Sequence, residues 1–170
     1  MKQTFNDKKL EQKFNQNGYI LIDGPKNINF SKIVRDLNSL HPSDHYKGNQ
    51  KTKIGSQTFH VTFFDSEKKY KEEIYNYVQI LFLDFVKQVF TNHKCSQANV
   101  FLKLPKTGFV HPHQNLTIVN EKKFKSVSCW MPLQDTNLEN GTLCLIPSSH
   151  LHFEKYRNSH IYWPYIDFFR

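Results

Sequence analysis

Imidazole and amide side chains crowd into one short stretch, Phe109-Val110-His111-Pro112-His113-Gln114-Asn115. On a strand, side chains at i and i+2 share a face. His111, His113 and Asn115 therefore project together if this stretch is extended. An H-x-D dipeptide in such a place sets an imidazole beside a carboxylate. That is most of a 2-His-1-carboxylate triad, which holds Fe(II) on one face and leaves positions open for co-substrate and oxygen. Here asparagine stands where the acid would be. An amide oxygen is a neutral, weaker ligand, so iron affinity should fall. His111-Pro112-His113 offers a second pattern, H-x-H on one face, with His111 as the alternative ligand. Its acidic partner is missing, since the next Glu, Glu121, lies eight positions past His113. Against both patterns stands the plain alternative that loop histidines are most often packed or solvated.

The residues that follow carry more information. From His113 to His150 the chain presents, in order, His113-Gln114-Asn115-Leu116, Asn120-Glu121, Ser126, Trp130, Pro132-Leu133, Asp135, Asn140-Gly141 and Pro147-Ser148-Ser149-His150. This order and spacing resemble the phytanoyl-CoA dioxygenase family. Its pattern runs H-Q-D-W-x-x-x-D-E, then S-x-x-x-W-x-P-L-x-D-x-x-x-x-N-G, then Pro-Gly-Ser-His. Lys103 on the strand upstream and the opening Phe14 to Ile22, F-x-x-N-G-Y-I-L-I, are similar too.

The resemblance implies an iron- and 2-oxoglutarate-dependent oxygenase acting on a small or carrier-bound molecule. It implies a mainly β, α+β fold: a double-stranded β-helix of the jelly-roll, cupin-like kind with N-terminal helices packed on the sheet. Residue by residue, His113 matches the first iron ligand and Asn115 the position of the carboxylate ligand. Ser128 and Lys103 are candidate contacts for 2-oxoglutarate, against the alternative of a solvent-facing serine and a surface lysine. His150 matches a loop histidine of the family that is not a ligand. The family's distal His and the Arg that clamps 2-oxoglutarate fall well beyond this point. Only 20 residues follow His150. His152 and His160 come too early, and Arg157 and Arg170 match neither role. The expectation is thus a single domain over 1–170, short of its last strands. The competing expectation is a non-catalytic or fragmentary relative serving as a binding or scaffold module.

The elements needed to position these residues can be read from periodicity. Leu10 and Phe14 give a first helix over 6–16, capped by Asn6 or Asp7 and stopped by Asn17-Gly18. Phe30, Ile33, Val34, Leu37 and Leu40 give a second, ending at His41-Pro42. Tyr70 to Val89 recurs at three and four residues as the longest helix, with an apolar stripe that needs a sheet to cover. Tyr19–Ile22 reads as a short buried strand, and Thr58–Phe64 as a half-buried one. After residue 96 strands are expected at 99–104, 109–113, 116–119, 126–131 and 142–146. Asn140-Gly141 is the strongest hairpin signal among them. On the 126–131 strand Ser126, Ser128 and Trp130 share one face, and Val127, Cys129 and Met131 the other. The chain thus divides into a helical part, 1–95, and a β-helix part, 96–170.

Composition narrows the partners. A 170-residue chain suits one domain, and it carries a formal net charge of +8. The only arginines are Arg35, Arg157 and Arg170, and the lysines are dispersed in pairs. Base and phosphate recognition favours the guanidinium fork, so no nucleic-acid partner is expected. A mild attraction for small anions remains. No apolar run is long enough to span a bilayer, and the N-terminus has no secretory pattern, so a cytoplasmic protein is expected. Cys95, Cys129 and Cys144 show no paired spacing, which fits a reducing compartment, with the last two as small buried residues.

Overall fold

A computed structural model describes residues 3–26, 28–45, 53–54, 57–103, 110, 113–115, 119–120 and 122–152. Three helices form where local signals are complete. Helix α1 is Lys8–Asn17. The Asp7 carboxylate accepts from the backbone N–H of Lys9 and Leu10, satisfying two donors the helix cannot. Gly18 ends it with φ +82°, its N–H donating to Phe14 O. Helix α2 is Phe30–Ser39, capped by Asn29 through the Lys32 N–H. Helix α3, Lys68–Val89, is the longest.

The core lies between α2 and α3. Ile33 and Leu37 pack on Tyr70 and Ile74, and Val100 and Leu133 close over them. Part of the α3 stripe is therefore covered by a second helix. Leu133, from the Pro-Leu motif, anchors the C-terminal half to this core. Tyr77 donates to Asp36 across the two helices at 2.9 Å. Burial, with the neighbouring carboxylate, pushes its phenol up to about 12.

A small antiparallel sheet lies beside the helices, ordered β1 (Lys53–Ile54), β2 (Gln57–Val61), β3 (Phe101–Lys103). Phe59 pairs with Lys103, and Val61 with Phe101. The Phe59 and Phe101 rings stack at 5.1 Å. The N-terminal segment joins the far end of α3. Phe5 bridges Phe90, and Asn6 donates to the carbonyls of Lys87 and Gln88. Phe5 also meets the Phe14 ring edge-on at 5.2 Å.

Several expected strands differ. Among the described residues, 19–22, 126–131 and 142–146 are in no ladder. Leu21 is 89% exposed, while Tyr19, Ile20 and Ile22 are only partly buried. The other two needed ladders with 109–113 and 116–119, most of which lie outside the described residues. Strand β2 stops at Val61, and Thr62–Phe64 turns as a 3-10 segment into α3. Cys129 and Cys144 are exposed rather than buried, and all three cysteines are free. The Asn140-Gly141 turn does form. Gly141 has φ +98°, and the N–H groups of Gly141 and Thr142 donate to Asn137 O. No described helix is long and apolar enough to cross a membrane.

Candidate functional site

Three of the residues singled out by sequence meet in space. The His113 ring Nε2 lies 3.1 Å from Asn115 Oδ1. Asn115 Nδ2 donates to Ser128 Oγ at 3.4 Å. The arrangement is self-consistent: an amide oxygen accepts from an imidazole N–H while the amide nitrogen faces a hydroxyl. All three side chains are open to solvent. His111 lies outside the described residues.

Lys103 ends β3, and its stem runs beside the 137–141 turn, where a Cβ on Gly141 would lie 3.9 Å from Lys103 Cδ.

The donor set can be compared with what a six-coordinate metal requires. Two neighbouring ligands at about 2.1 Å from an ion stand about 3.0 Å apart at a right angle. The 3.1 Å between His113 Nε2 and Asn115 Oδ1 matches that spacing. One imidazole and one amide oxygen thus fit as adjacent ligands. Among the described residues no group of three His, Cys, Asp or Glu side chains stands close enough to hold a metal.

The surrounding motifs are held by α1, which sequence reading did not connect to them. The Pro147–His150 loop docks on the helix's C-terminal end. Ser148 donates through N–H to Asn17 O and through Oγ to Gln16 O. The His150 Nε2–H donates to Asn15 O at 3.0 Å. Carbonyls that a helix end leaves unsatisfied are thereby capped from over 130 residues away. Ser148 has a left-handed backbone, φ +62°, a conformation that favours glycine.

Lys125 forms the second link. Its ammonium lies 3.2 Å from Glu11 Oε1 and 5.3 Å from the centre of the Phe14 ring. Glu11 Oε2 meanwhile accepts the N–H groups of Thr4 and Phe5. Burial would raise this carboxyl's pKa, but those N–H groups and Lys125 outweigh it and hold it below its ordinary value. Helical spacing does place Glu11, Phe14 and Asn15 on one face, yet nothing in the sequence named a lysine 110 residues on as their partner.

A buried polar cluster was missed as well. His60, only 5% exposed, contacts the Tyr70 hydroxyl at 3.1 Å, and Thr62 also approaches that oxygen. The alternation of strand β2 puts His60 on the face opposite Phe59, so the pattern marked it as outward.

A histidine–amide pair after a helical half is followed by the Ser, Trp, Pro-Leu, Asn-Gly and Ser-His elements on which the sequence resemblance rests. The family model described as phytanoyl-CoA dioxygenase (PhyH) matches residues 14–165, and the chain belongs to that family. The family is in general a jelly-roll fold dependent on Fe(II) and 2-oxoglutarate. No curated protein and no solved structure matches the chain.

Proposed function

We propose that this protein is an Fe(II)- and 2-oxoglutarate-dependent oxygenase that hydroxylates a small-molecule or carrier-bound substrate on a double-stranded β-helix. In this reading His113 and Asn115 hold the metal, and His111 is an alternative ligand. Ser128 and Lys103 contact 2-oxoglutarate. The observation that carries the reading is the 3.1 Å approach of His113 to Asn115, in a chain of this family and at positions the sequence resemblance likens to its iron ligands.

Each side chain has a definable task. His113 must surrender the Nε2 proton it now offers Asn115, because a ligating nitrogen needs its lone pair. The Ser128 hydroxyl keeps the Asn115 amide turned so that Oδ1, and not the NH2 group, faces His113. Lys103 supplies positive charge to an anionic co-substrate, reinforced at longer range by the net charge of +8. The chemistry such a centre supplies is oxidative decarboxylation of 2-oxoglutarate to succinate coupled to substrate hydroxylation.

The test is anaerobic addition of Fe(II) and 2-oxoglutarate to the purified chain. A visible metal-to-ligand charge-transfer band, followed by succinate on admitting air, is the expected result. Absence of both overturns the reading.

A further inference from the structure

A solvent-facing cleft of about 310 Å³ lies where the turn into α3 meets residues 96–99, the approach to β3. That volume falls at the lower end of the range for small-molecule pockets, roughly 300–1,000 Å³. None of its lining residues belongs to the candidate site. Its two sides are pinned to each other. The Tyr75 hydroxyl donates to Cys95 O at 3.0 Å, and Thr62 Oγ1 accepts the Val100 N–H at 3.1 Å. Phe63, Tyr75 and Ala98 make the lining mainly apolar.

Lys71 stands one turn before Tyr75 on the same face of α3, and both line the cleft. The Lys71 ammonium donates to Phe63 O at 2.9 Å and to Asp65 O at 3.0 Å, and it lies 5.8 Å from the centre of the Phe63 ring. These contacts hold the charge in place without cancelling it. Among the described residues no carboxylate is within ion-pair distance of it. Two of its three N–H groups are used on the carbonyls, which leaves one to offer. The side-chain amides of Gln97 and Asn99 line the same cleft and can donate or accept.

We propose that this cleft binds a small organic anion with an apolar body. Its carboxylate sits on Lys71 and the Gln97 or Asn99 amide, and its hydrocarbon part lies against Phe63, Tyr75 and Ala98. An ammonium already fixed beside pinned walls loses little freedom on binding. Apolar walls with a few convergent polar groups are the usual make-up of a ligand site. A neutral molecule of the same shape gains the walls but not the charge, and a cation is repelled.

The experiment follows the full chain by NMR while hexanoate, hexanol or hexylammonium is added at equal ionic strength. Hexanoate should give saturable shifts centred on Lys71 and residues 96–99. Hexanol should bind about tenfold more weakly, and hexylammonium should leave these resonances unmoved. Lys71→Met removes a charge-assisted hydrogen bond, so it should weaken hexanoate about tenfold and leave hexanol unchanged. Ala98→Leu fills the cleft and should weaken hexanoate by a similar factor with the charge intact. Absence of saturable shifts at these residues overturns the proposal. So does hexanol binding as tightly as hexanoate, or a Lys71→Met protein that loses both alike, since the lysine then only props the Phe63 and Asp65 carbonyls. If Lys71→Met does not fold, Ala98→Leu decides, and hexanoate affinity equal to that of wild type overturns the proposal.

Discussion

Asn115 turns its two amide atoms to different neighbours, His113 on one side and Ser128 on the other. Both contacts survive replacement by aspartate. A carboxylate accepts from the imidazole as the amide oxygen does, and the Ser128 hydroxyl reverses to donate. What changes is charge. Asn115→Asp gives a divalent cation an anionic ligand in an unaltered place, so Fe(II) affinity should rise about tenfold or more. Anaerobic titration of the two proteins side by side checks this. Equal affinities would show that position 115 does not touch the metal. The side-by-side placement of His113 and Asn115 was legible because i and i+2 parity depends only on local extension. The contact with Ser128 was not legible, since the resemblance offered Ser128 only as a contact for 2-oxoglutarate. Lys103 was offered by the motif alone, and its neighbour Gly141 was not readable from the sequence.

Helix α1 gathers the pieces that the motifs scatter along the chain. Its cap and its stop were readable, since Asp7 and Gly18 act on their own neighbours. The loop that docks on its end was not, because nothing local to Asn17-Gly18 names a partner more than 130 residues on. Gly18 serves both purposes. Its φ of +82° suits a left-handed cap, and the His150 ring fills the space where a side chain would begin, with Cγ at 3.0 Å from a Cβ placed there. Gly18→Ala should therefore cost about 1–2 kcal/mol from the backbone alone, and more from displacing the ring. A double-mutant cycle with His150→Ala separates the two. If the ring occupies that space, the second substitution relieves part of the cost of the first, and the two are not additive. Additive losses in urea unfolding would show that the ring is not seated there.

Across the described residues the helices were legible, and of the strands only β2 and β3, which overlap the expected 58–64 and 99–104 runs, for one physical reason. A helix closes its hydrogen bonds within itself, so its 3.6-residue period is written locally. A strand exists only with a partner, and among the described residues 126–131 and 142–146 are in no ladder despite suitable residues. Long-range polar contacts share this invisibility, and His60 is the example with the widest consequence. It joins β2 to α3 through Tyr70, which is 1% exposed. Burial lowers the His60 pKa below 6.5, while Asp65 and Asp44, the carboxylates that face it, pull less strongly the other way. The folded chain thus binds this proton less readily than the unfolded chain does. Between the unfolded value near 6.5 and the lower folded value, unfolding takes up a proton, so stability falls as pH falls. Above that window His60 is neutral in both states and contributes no slope. The carboxyls of Glu11, Asp36 and Glu67, all held below their ordinary values, add their losses only in more acid solution. Urea midpoints measured at about pH 7.5 and 5.5 should therefore drop for wild type. His60→Gln keeps an N–H for the Tyr70 oxygen but carries no titrating group, so its drop should be smaller whatever its absolute stability. Equal drops in the two proteins would assign the acid sensitivity to other groups and leave the buried His60–Tyr70 contact indifferent to pH.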